Sequence, residues 1–411
     1  MQAVSEASLN SPPLPREGGR GNGSQLVGKA DDGKLQIAIV GGGPVGLSLA
    51  LMLRRIGIDS AVLDARPLDA PGDDRRVLAL SHGTRQILER LDAWRAIDAA
   101  PIATIHVSQQ GRLGRTLIRA EDAGLPALGY AVEAGKLAAG LTQACAAAGV
   151  NIRCGTRVTD AQAGPQRVML HYLSNQGIAK LETQLVAWAD GTVGGPETAV
   201  RRDYHQQAIV AAVETRQPPN GIAYERFTPR GPVALLPLRK HFGLVWSAPD
   251  SEADALLALD DSAFLSRLHD IFAGRLDFAA AGQRAIFPLG LRYRSTPVAE
   301  RTVWLGNAAQ TLHPVAGQGF NLALRDVSQL ADLLQPRPAD CGEAALLARY
   351  AAARRLDRRG AIGFTDGVVR LFGMQGTLAS HARGAGLLAL DLLPAARRFF
   401  ARRMIFGARA W

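Results

Sequence analysis

The chain has 411 residues, 47% hydrophobic and 20% charged, with a mean hydropathy of +0.02; it is no disordered polymer and holds core material for one large or two ordinary domains. Its three cysteines, Cys145, Cys154 and Cys341, form neither a metal-binding pair nor a disulfide framework, a pattern that fits a reducing cytoplasm. The formal charge is +10, only five of the 47 basic residues are lysine, and twelve arginines against three aspartates fall between residues 346 and 411.

Residues 1–33, rich in Gly, Pro, Ser and Asp, read as a disordered tail or as residues ahead of the native start. They lack the apolar region of a secretory signal, and no later stretch reaches the roughly 18 apolar residues of a spanning helix. Structure begins with Leu35-Gln36-Ile37-Ala38-Ile39-Val40, a short apolar run suited to a buried parallel strand. Residues 44–55 follow as a helix apolar on most sides, Gly57 as its stop, and 60–63 as a second strand, which makes a β-α-β unit with parallel neighbours. Farther on, 137–148 reads as a helix and 150–153, 168–172, 185–188, 208–213, 233–236 and 242–246 as strands. Helix returns at 319–334, with Phe320, Leu324, Val327, Leu330 and Leu334 on one face, and 342–411 is almost wholly helical. A β-rich domain inserted into an α/β domain is the layout this order predicts.

Gly41-Gly42-Gly43-Pro44-Val45-Gly46 stands where the first strand meets the first helix. Gly41 permits the tight turn, Gly43 lets a pyrophosphate approach the backbone, and Gly46 allows close helix–strand packing. The helix N-terminus adds free N–H groups and a positive dipole end, and Asp64 ends the next strand in position to accept from ribose hydroxyls. This glycine pattern fits FAD and NAD equally. A second strand–loop–helix, Trp304 to Asn321, narrows the choice: Asn307 suits a polyol, and the backbone N–H groups of Gly317, Gln318, Gly319, Phe320 and Asn321 suit a ring edge that gains negative charge on reduction. A flavin has both; a nicotinamide has neither. The two loops are expected to converge on one FAD.

The string from Gly306-Asn307-Ala308-Ala309 to Leu324-Arg325-Asp326 resembles the second flavin motif of class A aromatic-ring monooxygenases, and most closely their ubiquinone-biosynthesis branch. Agreement extends to Asp73-Asp74-Arg75, Ala79 to Thr84, Ala189-Asp190-Gly191-Thr192, Tyr224 to Pro229 with Leu235-Leu236-Pro237, and Thr365-Asp366, so that it covers about residue 35 to the C-terminus. The resemblance implies an α/β fold: a Rossmann-like FAD-binding domain with an inserted β-sheet substrate domain of the p-hydroxybenzoate hydroxylase type and a helical C-terminus. On this reading the chain divides into 34–203, with short substrate-domain excursions, and 285–335 for the FAD-binding domain, 204–284 for the substrate sheet and 336–411 for the basic helical region. It makes Gly41, Gly43, Gly46 and Asp64 ligands of the ADP side, sets Arg75 beside the flavin, and gives Asp190 and Gly191 the family's DG motif, which serves pyrophosphate and transient NAD(P)H. Two departures stand out: Val193 to Glu197 intervene where the family carries serine and arginine, and Asn307 replaces the commoner aspartate.

The implied activity is hydroxylation of a phenol by NAD(P)H and O2 through a flavin C4a-hydroperoxide, on a polyprenylated methoxyphenol whose ortho and para carbons its oxygen activates. Tyr224, Arg226, Phe227, Leu236 and Pro237 are expected to wall the substrate pocket, and no catalytic base is nominated. Two alternatives remain: hydroxylation at another ring position of the pathway, or a non-catalytic FAD-binding subunit of a quinone-synthesis complex. His313 and Pro314, in the flavin loop, are weak catalytic candidates, the histidine being more suited to a structural hydrogen bond. No His, Cys and carboxylate spacing implies a metal, and Ser48 and Ser81 lack a nucleophile elbow. The C-terminal arginines Arg397, Arg398, Arg402, Arg403 and Arg409 interleave with Phe399, Phe400, Ile405, Phe406 and Trp411. Such a helix suits either peripheral contact with the inner face of the cytoplasmic membrane or ordinary packing; no nucleic-acid fold accompanies it.

Overall fold

A computed structural model describes residues 35–67, 74–111, 114–193, 199–374 and 376–407. The expectations for 1–33, Asp73, 194–197, Arg409 and Trp411 lie outside the described residues.

Leu35–Val40 forms the middle of a parallel sheet, flanked by Gly177–Trp188 and Ser60–Leu63, with Thr302–Trp304 and Asn151–Arg153 outside them. Its unbroken apolar run has a direct cause. Ile37 and Ile39 enter the core beneath the helices Pro44–Ile56, Ala134–Ala147 and Gln318–Leu334, while Ala38 and Val40 face Val168, Leu170 and Leu181 of an antiparallel extension. The first helix closes on Gly57 in the left-handed region at φ 71°.

The second sheet runs in the order Gln310–Thr311, Ala285–Arg294, Ala199–Thr215, Phe242–Pro249, Gly231–Pro237, Ile222–Thr228, Thr104–Gln109, Arg115–Arg119. The helices Asp250–Leu257 and Asp261–Phe272 cover one face, where Phe264, Leu268 and Phe272 pack on Ile209, Leu235 and Trp246. Ala285–Arg294 pairs along Ala199–Thr215, and the sheet also takes in Thr104–Gln109 and Arg115–Arg119 from the first part of the chain. Pairing between strands so far apart leaves no local pattern in either of them.

A small sheet of Val77–Ser81, Gly129–Glu133 and Ala100–Ile102 links the two large ones. Val77 lies against Gly243 of the second sheet, where a Cβ would stand 2.3 Å from Val77 Cγ2, and Ala79 lies against Gly317 of the second motif.

Ala344–Gly373, Thr377–Leu392 and Pro394–Phe406 complete the chain. The 377–392 helix covers the edge strand Arg115–Arg119: Leu117 N–H donates to Asp391 Oδ1 at 3.0 Å, and the Thr116 hydroxyl donates to the Leu387 carbonyl. The basic C-terminal stretch is not one solvated face. Arg354 and Arg358 are buried, Arg354 donating to Asp326 at 2.6 Å and to Asp357 at 2.7 Å, and Arg397 reaches Asp122 at 3.1 Å. Asp326 and Asp122 reach Arg354 and Arg397 from far along the chain, and Arg358 donates to Gln310 and to the Arg294 carbonyl, partners that a local charge count does not register.

Candidate functional site

At the end of the central strands the chain turns at Gly41 with φ 108°, so close beneath Ala189 and Asp190 that a Cβ would stand 2.6 Å from the Ala189 carbonyl. Gly46 has the same need, since its Cβ would lie 2.0 Å from the Gly41 carbonyl. Gly42, which sequence reasoning passed over, is also fixed: a Cβ would stand 2.2 Å from Asp64 Oδ2. Gly43 differs, because nothing lies within 4 Å of its missing Cβ. It precedes a helix that begins at Pro44 without a side-chain cap and with no acidic residue in its first turn. Free N–H groups and an open approach make a phosphate cradle.

Asp64 accepts from Arg66 at 2.7 Å, and Arg66 also donates to the Gly42 carbonyl at 3.0 Å. The Asp64 carboxylate accordingly raises the Arg66 guanidinium above its ordinary value. Arg66 is a site residue that sequence reasoning missed, although its place two residues beyond the strand-end aspartate is a usable signal.

The second motif arrives at the same strand ends. Leu305 N–H donates to the Trp188 carbonyl at 2.9 Å, and Ala189 N–H donates to the Val40 carbonyl at 2.8 Å. Gly306, at φ 58°, rests on Val45 of the first helix. The Gln318–Leu334 helix starts at Gly317 without a side-chain cap, and Gly319 faces open space. Asn307 and Asp190 are exposed, and Gly191, at φ 85°, has nothing within 4 Å. Two uncapped helix N-termini, open backbone at Gly43, Gly191 and Gly319, and an amide and two carboxylates on one rim fit the phosphates, polyol and ring edge of FAD. Arg294, also absent from the sequence reading, stacks its guanidinium 4.0 Å over Trp304 and donates to the Ala308 carbonyl at 3.0 Å; no local pattern announces it.

Other predicted residues have structural duties. Asn321 is buried, and its amide donates to Gly317 and Ala79 carbonyls while its oxygen accepts from Ser81 N–H and the Thr84 hydroxyl. It locks the loop to the small sheet, and the Gly317 N–H, expected to face the ring edge, instead donates to the Pro314 carbonyl at 2.9 Å. Gln318 reaches the Met404 carbonyl at 3.3 Å. Arg75 is exposed, next to the Asp74–Arg76 ion pair. Pro314 is exposed, whereas His313 is buried with Nδ1 accepting from Val315 N–H at 3.1 Å, and burial lowers its pKa to about 4. With Nδ1 accepting, the ring proton of the neutral imidazole falls on Nε2.

The predicted pocket wall divides. Successive residues of a strand point to opposite faces, and the helix Asp261–Phe272 claims one of them. Tyr224 packs edge-on against Phe272, and Arg226 donates to the Ile271 carbonyl and to Ser108 Oγ, so both belong to the helix side. Pro237, in step with Val233 and Leu235 of the same strand, falls on that side too. Phe227 and Leu236 face the small sheet and the flavin motifs, with Phe227 stacked on Phe372 at a centroid distance of 3.5 Å. Of the five, these two share the face that carries the small sheet.

Asp203, His205 and Asp250 bring ligand atoms within 4.8 Å of one another, a grouping not expected from sequence. All three are exposed.

Residues 34–365 match the family model described as FAD binding domain. This chain belongs to that family. Within it the chain stands among the ubiquinone-biosynthesis hydroxylases, being 32% identical over 92% of its length, and 90% of the relative's, to the ubiquinone hydroxylase UbiL of Rhodospirillum rubrum. It is 31% identical to the 3-demethoxyubiquinol 3-hydroxylase of Escherichia coli, over 73% of this chain and 79% of that one. Among solved structures, the p-nitrophenol 4-monooxygenase PnpA of Pseudomonas putida superposes with a TM-score of 0.75 at 17% identity, covering 92% of this chain and 99% of the other, which shows a shared fold. The protein is an FAD-dependent aromatic-ring monooxygenase of the family's quinone branch.

Proposed function

We propose that this chain hydroxylates the ring of a polyprenylated methoxyphenol in ubiquinone biosynthesis, at the carbon para to the phenolic oxygen, with NAD(P)H as electron donor and O2 as oxidant. The observation that carries this reading is the interior face of the second sheet. Val107, Ala234, Leu236 and Val245 stand there half-buried, on the side that meets the small sheet, whose Ala79 carries the Gly317 loop. Apolar side chains left partly accessible beside a cofactor cradle suit an apolar ring. FAD bound at the cradle supplies the two-electron chemistry that activates oxygen. Gly43, the first-turn N–H groups and Asn307 would hold it, while Phe227, Leu236 and their neighbours orient the ring and exclude water.

Peripheral membrane contact fits the same substrate. Leu388, Leu392, Leu393 and Phe399 are 49–68% exposed where the last two helices meet, beside the exposed Arg398 and Arg402. Such a corner suits an anionic bilayer surface, where a polyprenyl tail resides. Among the described residues no helix is long and apolar enough to cross a membrane.

The direct test is to delete the gene and identify the accumulated quinone precursor by mass spectrometry. A methoxyphenol without the para oxygen is expected; an earlier or later intermediate overturns the assigned ring position. With the purified FAD-loaded protein, a methoxyphenol analogue should stimulate NADPH or NADH oxidation. Retained FAD without such stimulation would point to a non-catalytic subunit.

A further inference from the structure

Glu225 lies on Ile222–Thr228 between Ala223 and Phe227, on the interior face. It sits opposite Ala234 on one neighbouring strand and beside Val107 on the other. A carboxylate in an apolar row has a desolvation cost that natural sheets normally offset with a partner. Glu225 has no hydrogen-bond or ion-pair partner among the described residues, although it is densely enclosed by protein and only half-accessible. Its cationic neighbour in sequence, Arg226, points to the other face and is held by Ile271 and Ser108.

The interior faces of the adjoining strands bring Val107, Ala234, Leu236, Val245 and Ser247, none of them titratable near neutrality. His106 and Tyr224 meet each other on the helix side, 5.6 Å between ring centroids. The charged groups of the C-terminal helices on this side are engaged elsewhere: Asp366 with Arg202 and Tyr204, Arg370 with Asp366, and Arg383 with the Leu371 and Met374 carbonyls.

Resting on the phenol hydroxylation proposed above, we propose that the Glu225 carboxylate accepts the hydrogen bond of the substrate's phenolic hydroxyl and takes its proton as the ring is oxidised. The phenolic O–H bond breaks, an O–H bond to Glu225 forms, and the freed electron pair activates the ring carbon that forms a C–O bond to one atom of O2, the O–O bond breaking and the other atom leaving as water at the expense of NAD(P)H. When the hydroxylated ring regains aromaticity it releases the proton of the attacked carbon to solvent, and Glu225 returns its own proton to the phenolic oxygen. Burial alone raises the Glu225 pKa to about 7, which poises it for exchange near neutral pH.

The test compares wild type with Glu225→Gln and Glu225→Asp, each loaded with FAD, using 4-nitrophenol as the bound probe and 2-methoxyphenol as the turnover substrate. A carboxylate facing the phenol opposes its ionisation, so the absorbance midpoint of bound nitrophenol should fall by about 1 pH unit or more in E225Q. Product formed per NADPH oxidised should drop about 100-fold in E225Q with FAD retained, recover in part in E225D, and lose the wild-type limb near pH 7. An unmoved nitrophenol midpoint, or failure of the probe to bind wild-type protein, overturns the proposal. Wild-type protein that shows no phenol-stimulated NADPH oxidation defeats the proposed reaction, and the nitrophenol midpoint still decides whether Glu225 meets a phenol.

Discussion

Gly306 lies against Val45 so closely that a methyl on the glycine would stand 3.0 Å from Val45 Cγ2. Each residue belongs to a different glycine motif, and their contact fastens the two loops to the ends of neighbouring strands. A single extended dinucleotide can therefore meet both.

The glycines of the first loop should separate folding from binding. Gly46→Ala drives a methyl into the Gly41 carbonyl and is expected to destabilise the fold by about 1–3 kcal/mol. Gly43→Ala meets nothing within 4 Å, so unfolding of the FAD-free protein should change by less than about 0.5 kcal/mol while FAD affinity falls. Urea unfolding and FAD titration of both variants check the contrast.

Asp391→Ala removes the acceptor of Leu117 N–H and bares part of the edge strand. A loss of about 1–3 kcal/mol is expected, together with concentration-dependent association in sedimentation velocity. Equal stability and a strictly unchanged sedimentation profile would contradict the role assigned to the 377–392 helix.

Arginines with the same sequence-level appearance should behave differently. Arg354→Ala takes a buried ion-pair partner from Asp326, which keeps the Gln310 amide, and from Asp357, which keeps Arg325, and is expected to cost about 3 kcal/mol. Arg398→Ala, at an exposed position, should cost less than about 0.5 kcal/mol, as chemical denaturation can measure.

Burial lowers His106 and His313 to about 4 from 6.5. As pH falls from 6.5 toward 4 the unfolded chain takes up these protons before the native protein does, so this contribution to stability is lost in that window. Glu225, raised from 4.5 to about 7, works oppositely, its contribution being lost as pH rises through that range. Thermal midpoints should therefore fall more steeply between pH 6.5 and 5 in E225Q than in wild type, and less steeply in a His106→Gln/His313→Gln variant.

Vesicle flotation tests the exposed corner. Wild-type protein should float with vesicles containing anionic lipid and not with neutral ones. Leu392→Ser/Leu393→Ser and Arg398→Glu/Arg402→Glu variants should each lose most of that binding while keeping FAD. Undiminished flotation of both variants would remove this face from membrane contact.

What the sequence determined by itself is local: the buried strand 35–40, the glycine turn, the helix stop at Gly57 and the second strand–loop–helix all follow from periodicity and backbone geometry within a few residues. The family motifs carried the cofactor and the reaction type as well. Tertiary structure alone decided which parity of residues on the 222–228 strand the helix layer covers, because only the packing of the Asp261–Phe272 helix takes up Tyr224 and Arg226 and leaves Glu225 and Phe227 on the other face. It likewise sorted the arginines, drawing Arg354 and Arg358 inward and leaving Arg398 in water. Strand alternation and charge are written in the chain, but the direction each side chain finally faces depends on elements hundreds of residues apart meeting in space.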